Sequence, residues 1–241
     1  MIHAGTKSFH TRDVISRYLY RRRGIPGRFI KGYTWMKNNN KEKILEVSRR
    51  LFLKYGYNGI SIRTIASKAR LTTGAIYFHF KNKRDIYTTI CLEAIDMLLR
   101  KFAGGMSGQK SNPRKLISTF DSYMEFFYRH RDYYNILMEY KAEFDADGDS
   151  GREVIAEKMA DILRLMSEAV NAGIEAGDFR KVDPMMLSLL LASVAEGMLQ
   201  YKKLGLMAAM KIEDSDFRDF MADVIGGGIA AAPQARAKRK E

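Results

Sequence analysis

Residues 61–83 read Ser61-Ile62-Arg63-Thr64-Ile65-Ala66-Ser67-Lys68-Ala69-Arg70-Leu71-Thr72-Thr73-Gly74-Ala75-Ile76-Tyr77-Phe78-His79-Phe80-Lys81-Asn82-Lys83. Ile62, Ile65, Ala66 and Ala69 recur at helical spacing, and Ser61 stands where a hydroxyl can accept a free amide of the first turn. Ile76 and Phe80 give a second short helix its inner face. Arg70-Leu71-Thr72 leaves room only for a tight turn, and Ala66 is small enough for the two helices to cross closely, so the stretch is a helix-turn-helix. The outer positions Arg63, Thr64, Thr73, Gly74, Ala75, Tyr77, Phe78 and His79 mix hydrogen-bond donors with small residues, as suits a helix entering the major groove of duplex DNA. Two packed core helices would account for the apolar stripes but not for that outer face.

Ile65-Ala66 followed by Thr73-Gly74-Ala75-Ile76-Tyr77-Phe78-His79-Phe80-Lys81-Asn82-Lys83 resembles the TetR/AcrR family of bacterial transcriptional regulators. Tyr-Phe-His-Phe before Lys-Asn-Lys is the specific part of the match. One departure is Arg70, where the family usually has Gly; Arg70 must adopt a left-handed conformation, or the turn differs. The resemblance implies base-edge contacts from Arg63 and the Thr72 to Phe78 surface, and phosphate contacts from Tyr77, His79 and Lys83. The expected DNA-binding set is Ser61, Arg63, Thr64, Thr72, Thr73, Gly74, Ala75, Tyr77, Phe78, His79 and Lys83.

Charge supports a polyanionic partner for the first part of the chain. Residues 1–103 hold 22 Lys or Arg against six Asp or Glu, whereas residues 104–241 hold 19 against 22. Neutralised phosphates release counterions and so provide affinity regardless of sequence. A membrane is a poor alternative, because the best apolar run, Met185 to Leu199, is broken by Glu196 and is shorter than the ~20 residues needed to span. The single cysteine, Cys91, excludes an internal disulfide framework, fits a reducing cytoplasm, and reads as a buried small hydrophobe. His3, His10, His79 and His130 do not pair at metal-ligand spacing, and neither a nucleophile motif nor a phosphate loop is present. The reading is therefore not an enzyme, with no cofactor or metal.

Taken in order, residues 1–35 lack a periodic apolar face and read as a disordered basic extension, either translated upstream sequence or an arm able to reach the minor groove. Residues 36–84 read as a three-helix DNA-binding domain, its first helix running from Lys41 to Tyr55 and ending at Gly56. Asn82 can cap a fourth helix that runs to about Phe102, with Gly104-Gly105, Gly108 and Asn112 marking a break. Residues 85–230 read as a helical bundle for effector binding and dimerisation, making the fold all-α. Its helices are expected from Asn112-Pro113, with Asn112 as cap, from His130 to Glu143, from Glu153 to Ala176, from Pro184 to about Leu204, and from Asp214 to Ile225. Gly177-Asp178-Phe179-Arg180 before Asp183-Pro184 also recurs in the family's second domain. Asp145 to Asp149 lack the full calcium-loop pattern and read as a solvated loop. Gly226-Gly227-Gly228 and the tail 231–241 read as frayed.

The family keeps an effector pocket in its second domain, and the Met, Phe and Tyr content here suits an apolar or aromatic small molecule. The residues expected to line it are Met97, Met124, Phe127, Tyr134, Met138, Met159 and Met166, against ordinary core packing as the alternative for each. A homodimer interface is expected from the two last helices through Leu191, Ala195, Met198, Phe217, Phe220, Met221 and Val224, because the helix after Pro184 is apolar on more than one side. The expected function is that of a DNA-binding regulator, a repressor by the family's habit, released from a palindromic operator by its effector. The alternative is a helical adaptor or structural protein with no role specific to DNA.

Overall fold

A computed structural model describes residues 39–143 and 150–231, which form ten α-helices and one isolated bridge between Phe179 and Ala230. The expectations for residues 1–35, for the Asp145 to Asp149 loop and for the tail from residue 232 onward lie outside the described residues.

The first three helices follow local signals. Helix α1 (Asn39–Tyr55) buries Ile44, Val47, Leu51 and Phe52 and stops at Gly56, whose φ of 69° closes the turn. Helix α2 (Ile62–Ala69) is capped by Ser61 Oγ, which accepts from the Thr64 amide at 3.1 Å. Arg70 takes the left-handed conformation, φ 53° and ψ 46°, while the Leu71 amide donates back to Ala66 O at 2.9 Å and satisfies a carbonyl of the last turn. Helix α3 (Thr73–His79) is capped by Thr72 Oγ1, accepting from the Ala75 amide at 3.1 Å. Helix α4 (Lys83–Ser107) starts at Asn82, whose side-chain oxygen accepts from the Asp85 amide at 2.8 Å.

Three expectations are corrected. Helix α4 runs straight through Gly104-Gly105, because Gly105 is a point of close approach rather than a break. A Cβ there would stand 2.6 Å from Ser122 Oγ on α5 (Asn112–Arg129). Second, the cap position of α5 belongs to Ser111, which makes no side-chain cap bond; the Asn112 side-chain amide donates instead to the Asp178 carboxylate at 2.9 Å. Third, α10 (Asp214–Ile229) continues through Gly226-Gly227-Gly228. The end of α10 is pinned, since the Arg180 amide donates to Ile229 O at 2.8 Å and the Ala231 amide to Asp178 O at 3.2 Å.

The remaining elements are α6 (Arg131–Glu143), α7 (Ser150–Glu175), α8 (Pro184–Lys203) and a short α9 (Leu206–Ala209). Helices α4, α5 and α7 pack mutually, α8 lies on α7, and α1 packs on both α4 and α6. One apolar core runs from Ile44 of α1 to Ile229 of α10, so the helix-turn-helix is fused to the bundle. At the far end α10 lies on α5 through Phe217 stacked on Phe120, ring centroids 6.4 Å apart, and an Arg218–Asp121 ion pair at 3.6 Å.

Candidate nucleic-acid interface

Helix α3 is anchored by Ile76, which is buried against α1 and α2, and closed by Phe80, also buried. Most of its remaining surface faces outward. Thr72, Thr73 and Gly74 are exposed, Tyr77 is 57% exposed and Phe78 83%. Large aromatic groups left in water beside a buried anchor are not core residues in waiting, because the helix has already committed its apolar face. A Cβ on Gly74 would meet only Thr72 Oγ1, at 3.8 Å, so the fold does not demand glycine there. Its lack of a side chain instead lets another surface approach the backbone at the helix start. His79 is half-buried with its ring edge-on to Phe78, centroids 5.0 Å apart, and Ala75 is half-buried on the same helix. On α2, Arg63 is exposed, while the Ser61 and Thr64 hydroxyls bond each other at 2.8 Å.

Lys83 is placed differently from expectation. Its ammonium donates to the carbonyls of Tyr57 and Ile60, each at 2.8 Å, and lies 4.0 Å from the centroid of the Tyr57 ring. The group expected at a phosphate thus holds the loop between α1 and α2. Exposed cations that sequence reasoning did not single out, Lys68, Arg70, Lys81 and Arg84, lie beside the same motif. The signal for them was the local excess of charge.

Behind the helix-turn-helix, the bundle holds a partly open cavity of about 630 Å³ between α4, α5, α7 and α8. Of the residues expected to line it, Met159 and Met166 do. Met124, Phe127 and Tyr134 are buried in the core behind the wall, where the Tyr134 hydroxyl reaches the wall residue Glu196 at 3.1 Å, and Met97 and Met138 are half-buried against that core. The cause is helical phase: on α5 the wall is Leu116, Thr119, Phe120 and Tyr123, one stripe at helical spacing, which turns Met124 aside. Phe127 lies one turn further along and packs on Tyr134, edge-on at 4.9 Å.

Two sets of contacts join the bundle to α1 and the loop after it, and the first starts at the cavity. Tyr140, on the cavity wall, stacks on Tyr87 at 5.8 Å and 18°. Tyr87 in turn meets Phe52 at 4.8 Å and Tyr57 at 5.2 Å, both edge-on. Separately, Arg49 of α1 lies over the Tyr133 ring of α6, 4.6 Å from its centroid, and donates to the Tyr133 hydroxyl.

The expected dimer residues divide by burial. Ala195, Met198 and Met221 belong to the chain's own core, Leu191 lines the cavity, and Phe217 packs on Phe120. Only Phe220 and Val224 face outward, at 67% and 54% exposure. The outer face of α8 is formed instead by Met186, Leu189, Leu190, Tyr201 and, just beyond its end, Leu204.

Comparison with known proteins agrees with this architecture. The family model described as bacterial regulatory proteins, tetR family, matches residues 44–90. The chain is 32% identical over 103 residues to the HTH-type transcriptional regulator YerO of Bacillus subtilis, covering 42% of this chain but only 36% of YerO. It is 25% identical over 174 residues to the HTH-type transcriptional regulator YhgD of the same organism, covering 70% of this chain and 90% of YhgD. In fold it is similar to the TetR family transcriptional regulator PfmR of Thermus thermophilus, with a TM-score of 0.56 at 20% identity over 66% of this chain and 85% of PfmR. The helix-turn-helix of α2 and α3 lies inside the segment that matches the tetR family model, and the all-helical bundle behind it shares the fold of a solved TetR family regulator.

Proposed function

We propose that this protein regulates transcription in the cytoplasm as a homodimer that binds a palindromic operator and releases it when a small apolar or aromatic effector enters the bundle. In this reading residues 36–84 bind DNA and residues 85–230 bind the effector and the second subunit. The observation that carries it is the outer face of α3, where Tyr77 and Phe78 are displayed to solvent on a helix whose other side is fixed by the buried Ile76. Arg63 and the Thr72 to Phe78 surface read base edges, and Tyr77 and His79 meet phosphates. A single recognition helix of seven residues contacts few bases. Two copies related by a twofold axis read half-sites about 34 Å apart. The outer face of α8 with Phe220 and Val224 supplies the contact between copies, since soluble proteins rarely leave so continuous an apolar surface in water.

The test is selection of bound fragments from genomic DNA, followed by titration of the recovered operator. Arg63→Ala should weaken operator binding by about 1–3 kcal/mol and relax one base position, whereas Tyr77→Ala should weaken binding to all sequences alike. Failure to enrich any sequence, with DNA binding that disappears at moderate salt, would refute a sequence-specific regulator.

A further inference from the structure

Among the described residues, the cavity wall carries one carboxylate whose hydrogen-bond donors are all neutral. Glu196 of α8 is half-buried and lines the cavity, and its oxygens accept from the Tyr123 hydroxyl, from the Tyr134 hydroxyl at 3.1 Å and from the Gln200 side-chain amide. Burial, reinforced by the adjacent Glu196 carboxylate, pushes both tyrosine hydroxyls well above their ordinary range, so they remain protonated donors. Lys203 is exposed and rests over the Tyr134 ring, 5.6 Å from its centroid, without forming an ion pair with the carboxylate. These hydrogen bonds satisfy its lone pairs without bringing a positive charge to it, so the carboxylate offers an unmatched partner to a cation in the cavity. The same cavity is lined by the rings of Phe102, Phe120, Tyr123 and Tyr140, and aromatic ring faces are negative and attract cations.

We infer that the effector is a lipophilic cation, its positive group received by Glu196 among these rings and its alkyl or aromatic body laid along Leu98, Leu116, Met159 and Met166. This rests on the reading of the cavity as the effector site and adds the sign of the ligand's charge. The cavity volume of about 630 Å³ falls within the range of small-molecule sites. Arg152 also lines the cavity, on the exposed first turn of α7, and would favour an anion if it governed recognition.

Three probes of one carbon skeleton separate the possibilities: 4-phenylbutylammonium, 4-phenylbutanol and 4-phenylbutyrate, titrated calorimetrically into the full chain. The cation should bind at least tenfold more tightly than the alcohol, and the butyrate most weakly. Glu196→Gln, checked for helicity, should abolish the cation's advantage while leaving the alcohol's affinity within about twofold. Equal affinity for cation and alcohol, a tighter butyrate, or an advantage that survives E196Q would overturn the charge assignment while leaving the cavity as an apolar site. Should E196Q not fold, the ranking of the three probes on the native chain still decides. If none of the three binds at millimolar concentration, the effector-site reading itself fails and the charge assignment with it.

Discussion

Lys83 offers a discriminating test, because the two roles open to its ammonium leave different signatures. If it met a phosphate, Lys83→Met would weaken DNA binding and lower the salt slope by about one ion, with little effect on stability. The structure shows it donating instead to Tyr57 O and Ile60 O at 2.8 Å each and lying 4.0 Å from the Tyr57 ring. Hydrogen bonds to a charged donor contribute about 1.5–3 kcal/mol each when buried, and Lys83 is half-exposed, which reduces the pair to about 2 kcal/mol in total. For a chain of this length that corresponds to a fall in Tm of roughly 4–8 °C. The variant should therefore unfold at lower temperature, lose operator affinity because the loop before α2 loosens, and keep the slope of log affinity against log salt. Calorimetric scanning and operator titrations at three salt concentrations measure all three. An unchanged Tm with a slope reduced by one would refute the structural role and restore the phosphate contact.

Further outcomes follow from particular residues. Leu190→Arg, at 50% exposure on the outer face of α8, should shift sedimentation from dimer to monomer with helicity intact and operator binding lost; a dimer that survives it with Phe220→Arg would remove that face from the interface. Ala195→Glu should act differently, since Ala195 is only 6% exposed and its loss unfolds the chain rather than merely splitting a dimer. Arg70→Gly should raise stability by about 0.5–1 kcal/mol, because glycine reaches the left-handed φ of 53° without the Cβ clash that arginine suffers there; a lower Tm would mean that the Arg70 side chain makes a compensating contact. Tyr133→Phe deletes the hydroxyl that takes the Arg49 bond and should reduce the coupling between effector and operator by about 0.5–2 kcal/mol, read as the ratio of effector affinities with and without DNA. An unchanged ratio would exclude that contact from the coupling route.

The helix-turn-helix was legible because its signals are local. Ser61, Thr72 and Asn82 each bond an amide three residues ahead, and Ile65, Ala69 and Ile76 sit at spacings that any helix of this pitch would bury. Even the left-handed turn at Arg70 was one of two outcomes that steric reasoning allowed. What failed was punctuation inside the bundle. Glycine in a helix interior is unfavourable by about 1 kcal/mol relative to alanine, so Gly104-Gly105 and Gly226-Gly227-Gly228 read as ends. Contacts with distant segments outweighed that preference: Ser122 against Gly105, and the Arg180 and Ala231 amides around the end of α10.

The same distinction separates the legible part of the candidate site from the rest. An outward face of α3 follows from its sequence, but a cavity wall is decided by how four helices are rotated against one another, and composition carries no phase. Met124 and Tyr123 are neighbours of similar apolar character, yet only Tyr123 lines the cavity, and its hydroxyl then reaches Glu196 of α8. Tyr140, Tyr87, Phe52 and Tyr57 each look like one more member of a helical stripe or its end. Their meaning lies in ring contacts across α6, α4, α1 and the α1–α2 loop, which form a packed path from the cavity to the backbone that Lys83 holds. An effector that moves Tyr140 must therefore repack against the ring of Tyr87, and a close-packed interior passes such a displacement on because few voids exist to absorb it. That path crosses the continuous helix α4 at Tyr87 rather than running along it, a lateral connection that only the folded contacts create.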